Sequence, residues 1–158
     1  MYRFLYTIVF IVFRTYWFLF RPHTYGGKVL IEDAETGSYL FVRHGYGSQK
    51  WSLPGGGKKH DEENTVATVI REAQEETSLE LRDVRLVGSY ETTEEYKHDH
   101  VDCYHALAID PSTLKIDGRE IIEAKWFPRT ALPIEVTQVA MRTLVYLNSR
   151  RKDMSHWV

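Results

Sequence analysis

Residues Gly57 to Leu79 read GKKHDEENTVATVIREAQEETSL, and the second half of this stretch sets the chemistry. On a helix, Glu72, Glu75 and Glu76 stand at i, i+3 and i+4, so their carboxylates project from one side. Like charges this close repel and weaken a helix. A cation offsets that cost, and clustered hard oxygen ligands select Mg²⁺ or Mn²⁺. Val66, Val69, Ile70, Ala73 and Thr77 form a largely apolar stripe on a neighbouring face. One face therefore packs while the next carries charge. Arg71 precedes Glu75 by four residues and can pair with it. Ahead of the helix, Leu53-Pro54-Gly55-Gly56-Gly57 joins a rigid proline to three residues that tolerate close backbone approach.

The stretch resembles the Nudix box, G-x5-E-x7-R-E-U-x-E-E-x-G-U, with U a bulky apolar residue. Gly57, Glu63, Arg71, Glu72, Glu75, Glu76 and Leu79 match. Ala73 is smaller than the pattern asks, and Ser78 stands where it has its last glycine. Ser78 strains the helix exit if that position needs a positive φ. The likeness in element order runs from about Gly27 to Asn148. It implies a Nudix-like α/β/α sandwich with a mixed β-sheet. It also implies Mg²⁺-dependent hydrolysis, with Mn²⁺ as a substitute, of a pyrophosphate bond in a nucleoside diphosphate derivative. Glu72, Glu75, Glu76 and the Gly57 carbonyl would hold metal. Glu75, Glu76 and Arg71 would serve catalysis, and Lys58 and Tyr96 would meet substrate. In diadenosine polyphosphate hydrolases of this family a tyrosine stands downstream of the box, where this chain has Tyr96. The proline typical of ADP-ribose hydrolases is replaced by Glu94 and Glu95. A further acidic residue outside the box often assists, and Glu94, Glu95, Glu120 and Glu123 are candidates. Two other classes remain open: a non-catalytic nucleotide-binding module and a membrane-associated interaction protein.

Bulk properties agree. The chain has 158 residues, 43% hydrophobic and 27% charged, enough for one domain with a real core. A net charge of −2 argues against a nucleic-acid polymer as partner. The single cysteine, Cys103, precludes an intrachain disulfide, fits a reducing compartment and reads as a buried packing residue.

Strands are expected at Lys28–Glu32, Tyr39–Arg43, Trp51–Leu53, Val84–Tyr90, His100–Ile109 and Ile121–Phe127. Helices are expected over Asn64–Thr77 and Val136–Leu147. The domain would span 23–150, with a tail over 151–158. His98, Asp99, His100, Asp102 and His105 look like a transition-metal cluster, but strand alternation puts His100 and Asp102 opposite His105.

Residues 1–22 differ in kind. The first twenty hold five of the seven phenylalanines. On a helix, Arg3, Arg14 and Arg21 fall within about 20° of one another, a narrow cationic stripe on an aromatic-aliphatic surface. Four placements are open: an interfacial helix on a membrane, a helix packed on the domain or on a second copy in a homodimer, a spanning helix, and a signal peptide. The interfacial reading puts the protein in the cytoplasm at the inner face of a membrane, held by residues 1–21.

Overall fold

A computed structural model of the chain describes residues 2–93 and 98–155. Ten elements follow in order. They are helix α1 (Tyr2–Phe20), strands β1 (His23–Glu32), β2 (Tyr39–His44) and β3 (Gly55–Gly57), and helix α2 (Thr65–Thr77). Then come β4 (Leu81–Thr92), β5 (His98–Ala108), a 3₁₀ turn (Pro111–Thr113), β6 (Ile121–Phe127) and α3 (Gln138–Ser155).

Five strands run in the order β4-β5-β1-β2-β6, and β3 pairs with β1 off that path. β1 and β5 are parallel, and the other pairings are antiparallel, so the sheet is mixed. Side chains from the central strands alternate between two cores. Val29, Ile31, Leu40, Tyr104 and Ala106 face α2 through Val69 and Ala73. Leu30, Phe41, Cys103 and Val87 face α3 through Ala140 and Leu147. The domain is therefore an α/β/α sandwich, as expected. Cys103 is a free thiol in the second core, with its pKa raised by burial.

The central strands are longer than their hydrophobic runs. β1 begins at His23 because residues 23–28, polar or glycine, are held along one edge by β5, while β3 holds residues 26–28 on the other. Gly27 is needed there: a Cβ would sit 2.6 Å from Val69 and 3.2 Å from the Thr65 carbonyl oxygen, where α2 crosses the sheet. Trp51–Leu53 forms no named strand. It makes single bridges, Val42 to Ser52 and Trp51 to Val136, and the glycines after it form β3 instead.

α2 starts one residue after its Asn64 N-cap, whose side chain accepts from Ala67 N–H. Its buried face includes Thr68 and Val69, while Ile70 is 43% exposed. The packing stripe is thus displaced from the expected one. α3 begins at Gln138 and runs to Ser155, past the expected helix end at Leu147. Arg151 explains the extension. It donates to Glu32 at 3.0 Å and to the Tyr39 hydroxyl at 2.9 Å, joining the last turns of α3 to β1 and β2. His105 and Arg129 complete the network around Glu32, which is 8% exposed.

Arg21 lies beyond α1, with φ of 42°, and its N–H closes the last turn onto Trp17 O at 2.8 Å. The expected cationic stripe therefore does not continue through Arg21. Among the described residues no helix is long and apolar enough to cross a membrane.

Candidate active site

The glycine turn and the end of α2 form one unit. The Gly55 N–H donates to Oε2 of Glu76 at 3.1 Å, and the Lys28 ammonium donates to the Gly55 carbonyl. Gly56 lies against Glu72: a Cβ there would stand 2.5 Å from its Oε1. Only a glycine lets the strand pass that close to the carboxylate.

Glu76 is 4% exposed. Burial, aided by Glu72 and Glu120, pushes its pKa up to about 8, against the pull of Lys28 and the Gly55 N–H. A carboxylate in that setting is short of positive charge. Glu75 is different. It is exposed at the rim, 3.0 Å from Arg71 Nη1 and 3.6 Å from Lys59 Nζ.

Arg71 organises the group. Its Nε donates to Glu62 at 2.6 Å, its Nη1 to Glu72 at 2.7 Å and to Glu75 at 3.0 Å, and its Nη2 reaches the Gly57 carbonyl at 3.4 Å. The partner ahead of the helix is Glu62. Glu63, which fits the box spacing, is exposed. Glu62 also accepts from Lys59 N–H and from the Thr68 hydroxyl, both at 2.7 Å, and its pKa falls to about 2, with Arg71 the main cause. The turn over residues 58–64 shifts the anchoring carboxylate by one residue, which spacing alone does not reveal.

Of the four acids proposed outside the box, Glu120 lies at the site. The loop after β5 docks on the C-terminus of α2, where Lys115 N–H donates to Thr77 O at 2.9 Å and Asp117 N–H to Glu76 O at 3.3 Å. The Asp117 carboxylate then accepts from Glu120 N–H at 3.2 Å. Glu120 is half-buried, and desolvation together with the charges of Glu72, Asp117 and Glu75 raises its pKa. Glu123 instead pairs with Arg43 at 3.1 Å. Glu94, Glu95 and Tyr96 lie outside the described residues.

These groups line a cleft of about 980 Å³. Its floor carries Glu72, Glu76 and Glu120 with Gly55–Gly57, and Lys28 and Lys58 stand beside them. His44 is there too. Burial and the Lys28 charge lower its pKa to about 3, so it is a neutral ring at the site. Lys28 and His44 carry no signal in the sequence, since each sits at the polar end of a strand. Phe10, Phe13 and Trp17 of α1 form another wall.

Among the described residues no three acidic, His or Cys side chains converge as a ready-made metal cage. The donor set nonetheless fits a hard cation. Carboxylates with a backbone carbonyl are the ligands Mg²⁺ takes, and Mg²⁺ keeps water and substrate phosphate in its remaining positions. The histidine cluster does not form. His100 contacts Glu91 and Asp102, while His105 contacts Glu32 on the other side of the sheet.

Residues 23–147 match the family model described as the NUDIX domain. The chain belongs to the Nudix family. Nudix hydrolase 6 of Arabidopsis thaliana is 28% identical over 112 residues, covering 67% of this chain and 39% of its own length. The chain thus spans well under half of that relative. A MutT NUDIX hydrolase from Burkholderia pseudomallei has a TM-score of 0.65 at 22% identity, over 80% of this chain and 96% of its own. A UDP-X diphosphatase has a TM-score of 0.66 at 18% identity, covering 83% and 64%. The NUDIX domain of Shewanella oneidensis NrtR, solved with ADP ribose, has a TM-score of 0.64 at 16% identity, covering 82% and 88%. Nudix hydrolases act on pyrophosphate bonds and generally use divalent metals.

Proposed function

We propose that this Nudix domain hydrolyses the pyrophosphate bond of nucleoside diphosphate derivatives with Mg²⁺, for which Mn²⁺ can substitute. One observation carries the reading. Glu76, buried and clamped by the Gly55 N–H, shares a cleft floor with Glu72 and Glu120, directly beside Lys28 and Lys58. An acidic floor beside cationic walls suits a metal-bound diphosphate. Two structural neighbours, a UDP-X diphosphatase and a NUDIX domain complexed with ADP ribose, support the class.

Glu72, Glu75, Glu76 and the Gly57 carbonyl would hold the cation, with Glu120 completing the acidic set. The metal would supply charge neutralisation at the phosphate oxygens and a lowered pKa for a bound water. The chain's own residues do the remainder. Arg71 fixes the rotamers of Glu72 and Glu75. Lys58 and Lys28 offer charge to phosphate. A carboxylate of the cluster accepts the proton of the attacking water. Tyr96 is retained as a substrate contact on sequence grounds. The test is phosphate-bond cleavage across a nucleotide panel with Mg²⁺ and with EDTA. No turnover of any diphosphate would return the chain to the class of non-catalytic binding modules.

For the N-terminal segment we keep the reading of a membrane-surface contact at a cytoplasmic face. The observation that favours it is the outward side of α1, where Ile11, Val12 and Leu19 are 57–66% exposed. Such an apolar face is a binding surface more often than a solvated one. Flotation with anionic vesicles tests it. A concentration-dependent dimer in the absence of vesicles would assign the face to a second copy of the chain instead.

A further inference from the structure

α1 contributes to the cleft as well as to the surface. Phe10, Phe13 and Trp17 follow i, i+3 and i+7, so they share one side of the helix. That side lines the same cleft as Glu72, Glu76 and Glu120. A ring contact holds it there: the Phe10 ring meets the Tyr46 ring at 5.6 Å. The loop after β2 thus carries α1 on one side, while its Gly45 N–H donates to Glu120 O at 2.8 Å on the other. One short loop joins the aromatic wall to the acidic floor.

From Val9 to Trp17 the wall is about 12 Å long, at 1.5 Å per residue. Among the described residues, the side chains that α1 gives to the cleft are apolar or aromatic: Val9, Phe10, Phe13 and Trp17. A diphosphate bound on the floor has two ends. One is the nucleoside, with many groups that seek hydrogen bonds. The other group has to lie along whatever wall remains. A sugar or a second nucleotide against this wall would lose hydrogen bonds to water and meet, among its described side chains, one donor, the Trp17 indole N–H. A hydrocarbon chain loses nothing and buries apolar area. The opposite side of α1 exposes Ile11, Val12 and Leu19, so a chain leaving the cleft finds further apolar surface on this helix.

We propose that α1 is the specificity wall of the site and that the group X carried by the nucleoside diphosphate is an apolar chain. The inference rests on the hydrolytic reading above and narrows its substrate class. Water adds across the P–O–P bridge. The products are a nucleoside monophosphate and the phosphate ester of the apolar alcohol, and the proton from water goes to a carboxylate of the cluster.

The test is a series of ADP esters of straight-chain alcohols, methyl, butyl, octyl and dodecyl, assayed with Mg²⁺ and the full chain. We expect kcat/KM to rise up to about fourfold per methylene while the chain still lies along the wall, then to level off. The gain is expected mainly in KM. In the double variant Phe13→Ser, Trp17→Ser the rise per methylene should fall below about 1.5-fold, because the serine wall offers little apolar area. Phe13 is 52% exposed, so its replacement opens no core. Affinities of the uncleavable methyl and octyl esters of α,β-methylene-ADP, by calorimetry, read the wall without turnover. Tighter binding of the octyl ester, by at least thirtyfold, supports the proposal even if no ester is cleaved, in which case only the hydrolytic reading falls. Cleavage of all esters at equal kcat/KM, with equal affinities for the two analogues, overturns the proposal and leaves hydrolysis standing. Equal weakening of methyl and octyl esters in the serine variant also overturns it, because α1 would then stack on the base.

Discussion

The backbone N–H of Gly55 donates to Oε2 of Glu76 across 3.1 Å. This bond joins the glycine turn before the Nudix helix to the last carboxylate within it. Lys28, on the central strand, donates to the carbonyl of the same Gly55. Strand, turn and helix are thus fastened at the floor of the cleft, and Glu76 has little freedom to leave it.

Glu76→Gln is expected to cut kcat at least about 100-fold, the size of losing a key electrostatic or acid-base group. The fold should survive, since the amide keeps an oxygen for Gly55 N–H and removes charge repulsion. Glu75→Gln should act likewise on kcat despite its exposed position. Steady-state kinetics beside a thermal melt checks both variants. Wild-type kcat in either would remove that residue from the machinery.

The same carboxylate gives a pH signature. With metal chelated, folding holds a proton on Glu76 up to about 8, whereas the unfolded chain releases it near 4.5. The native state therefore binds more protons in that window, and stability falls as pH rises through it. The wild type in EDTA should lose at least about 1 kcal/mol more than Glu76→Gln between those values, one pKa unit's worth. Mg²⁺ should cancel most of the difference. Denaturant melts at both ends of the window, with and without chelator, read it directly.

Arg71 distinguishes two neighbouring glutamates. Glu62→Gln should lower kcat about tenfold and destabilise the fold by about 1–3 kcal/mol, the range for a hydrogen bond to a charged group. Glu63→Gln should stay within about 0.5 kcal/mol of wild type and retain its rate. The reverse order would restore the spacing of the sequence pattern and contradict the observed ion pair.

Ser78 has φ of 59° at the exit of α2, where the sequence pattern has glycine. A non-glycine residue in that region costs about 1 kcal/mol or more. Ser78→Gly also gives up the hydroxyl bond to Lys115 O at 3.1 Å and adds unfolded-state freedom. The balance is a gain of about 0.5 kcal/mol, measurable as a raised denaturation midpoint at unchanged slope.

The architecture could be read from the chain because its signals are local. Short apolar runs, Val29 to Ile31 and Leu40 to Val42, marked the central strands, and the helix start was read at Asn64. The acidic triplet was equally plain. What escaped was whatever depends on distant contact. His23 to Lys28 became strand only because β5 holds one edge and β3 holds residues 26–28 on the other. Arg151 extends α3 by reaching Glu32, 119 residues away. Glu120 joins the site because the 115–117 backbone caps α2, and four acids looked alike until that docking separated them. Glu62 displaced Glu63 through the path of one turn. The inward face of α1 was hidden for another reason: apolar side chains stand on opposite sides of the helix, so their pattern does not tell which side meets the cleft.

Hydrolysis itself is the claim that everything else rests on, and one measurement reaches it. Purified protein is incubated with ADP ribose, UDP-glucose, diadenosine tetraphosphate and nucleoside triphosphates in Mg²⁺, and cleaved phosphate bonds are scored beside Glu76→Gln and an EDTA control. The expected result is turnover of at least one diphosphate in Mg²⁺ and none in EDTA. Glu76→Gln should run at least about 100-fold slower, and ADP ribose should not stand more than about tenfold above every other compound. Equal turnover by wild type and Glu76→Gln, or turnover that persists in EDTA, would contradict the account.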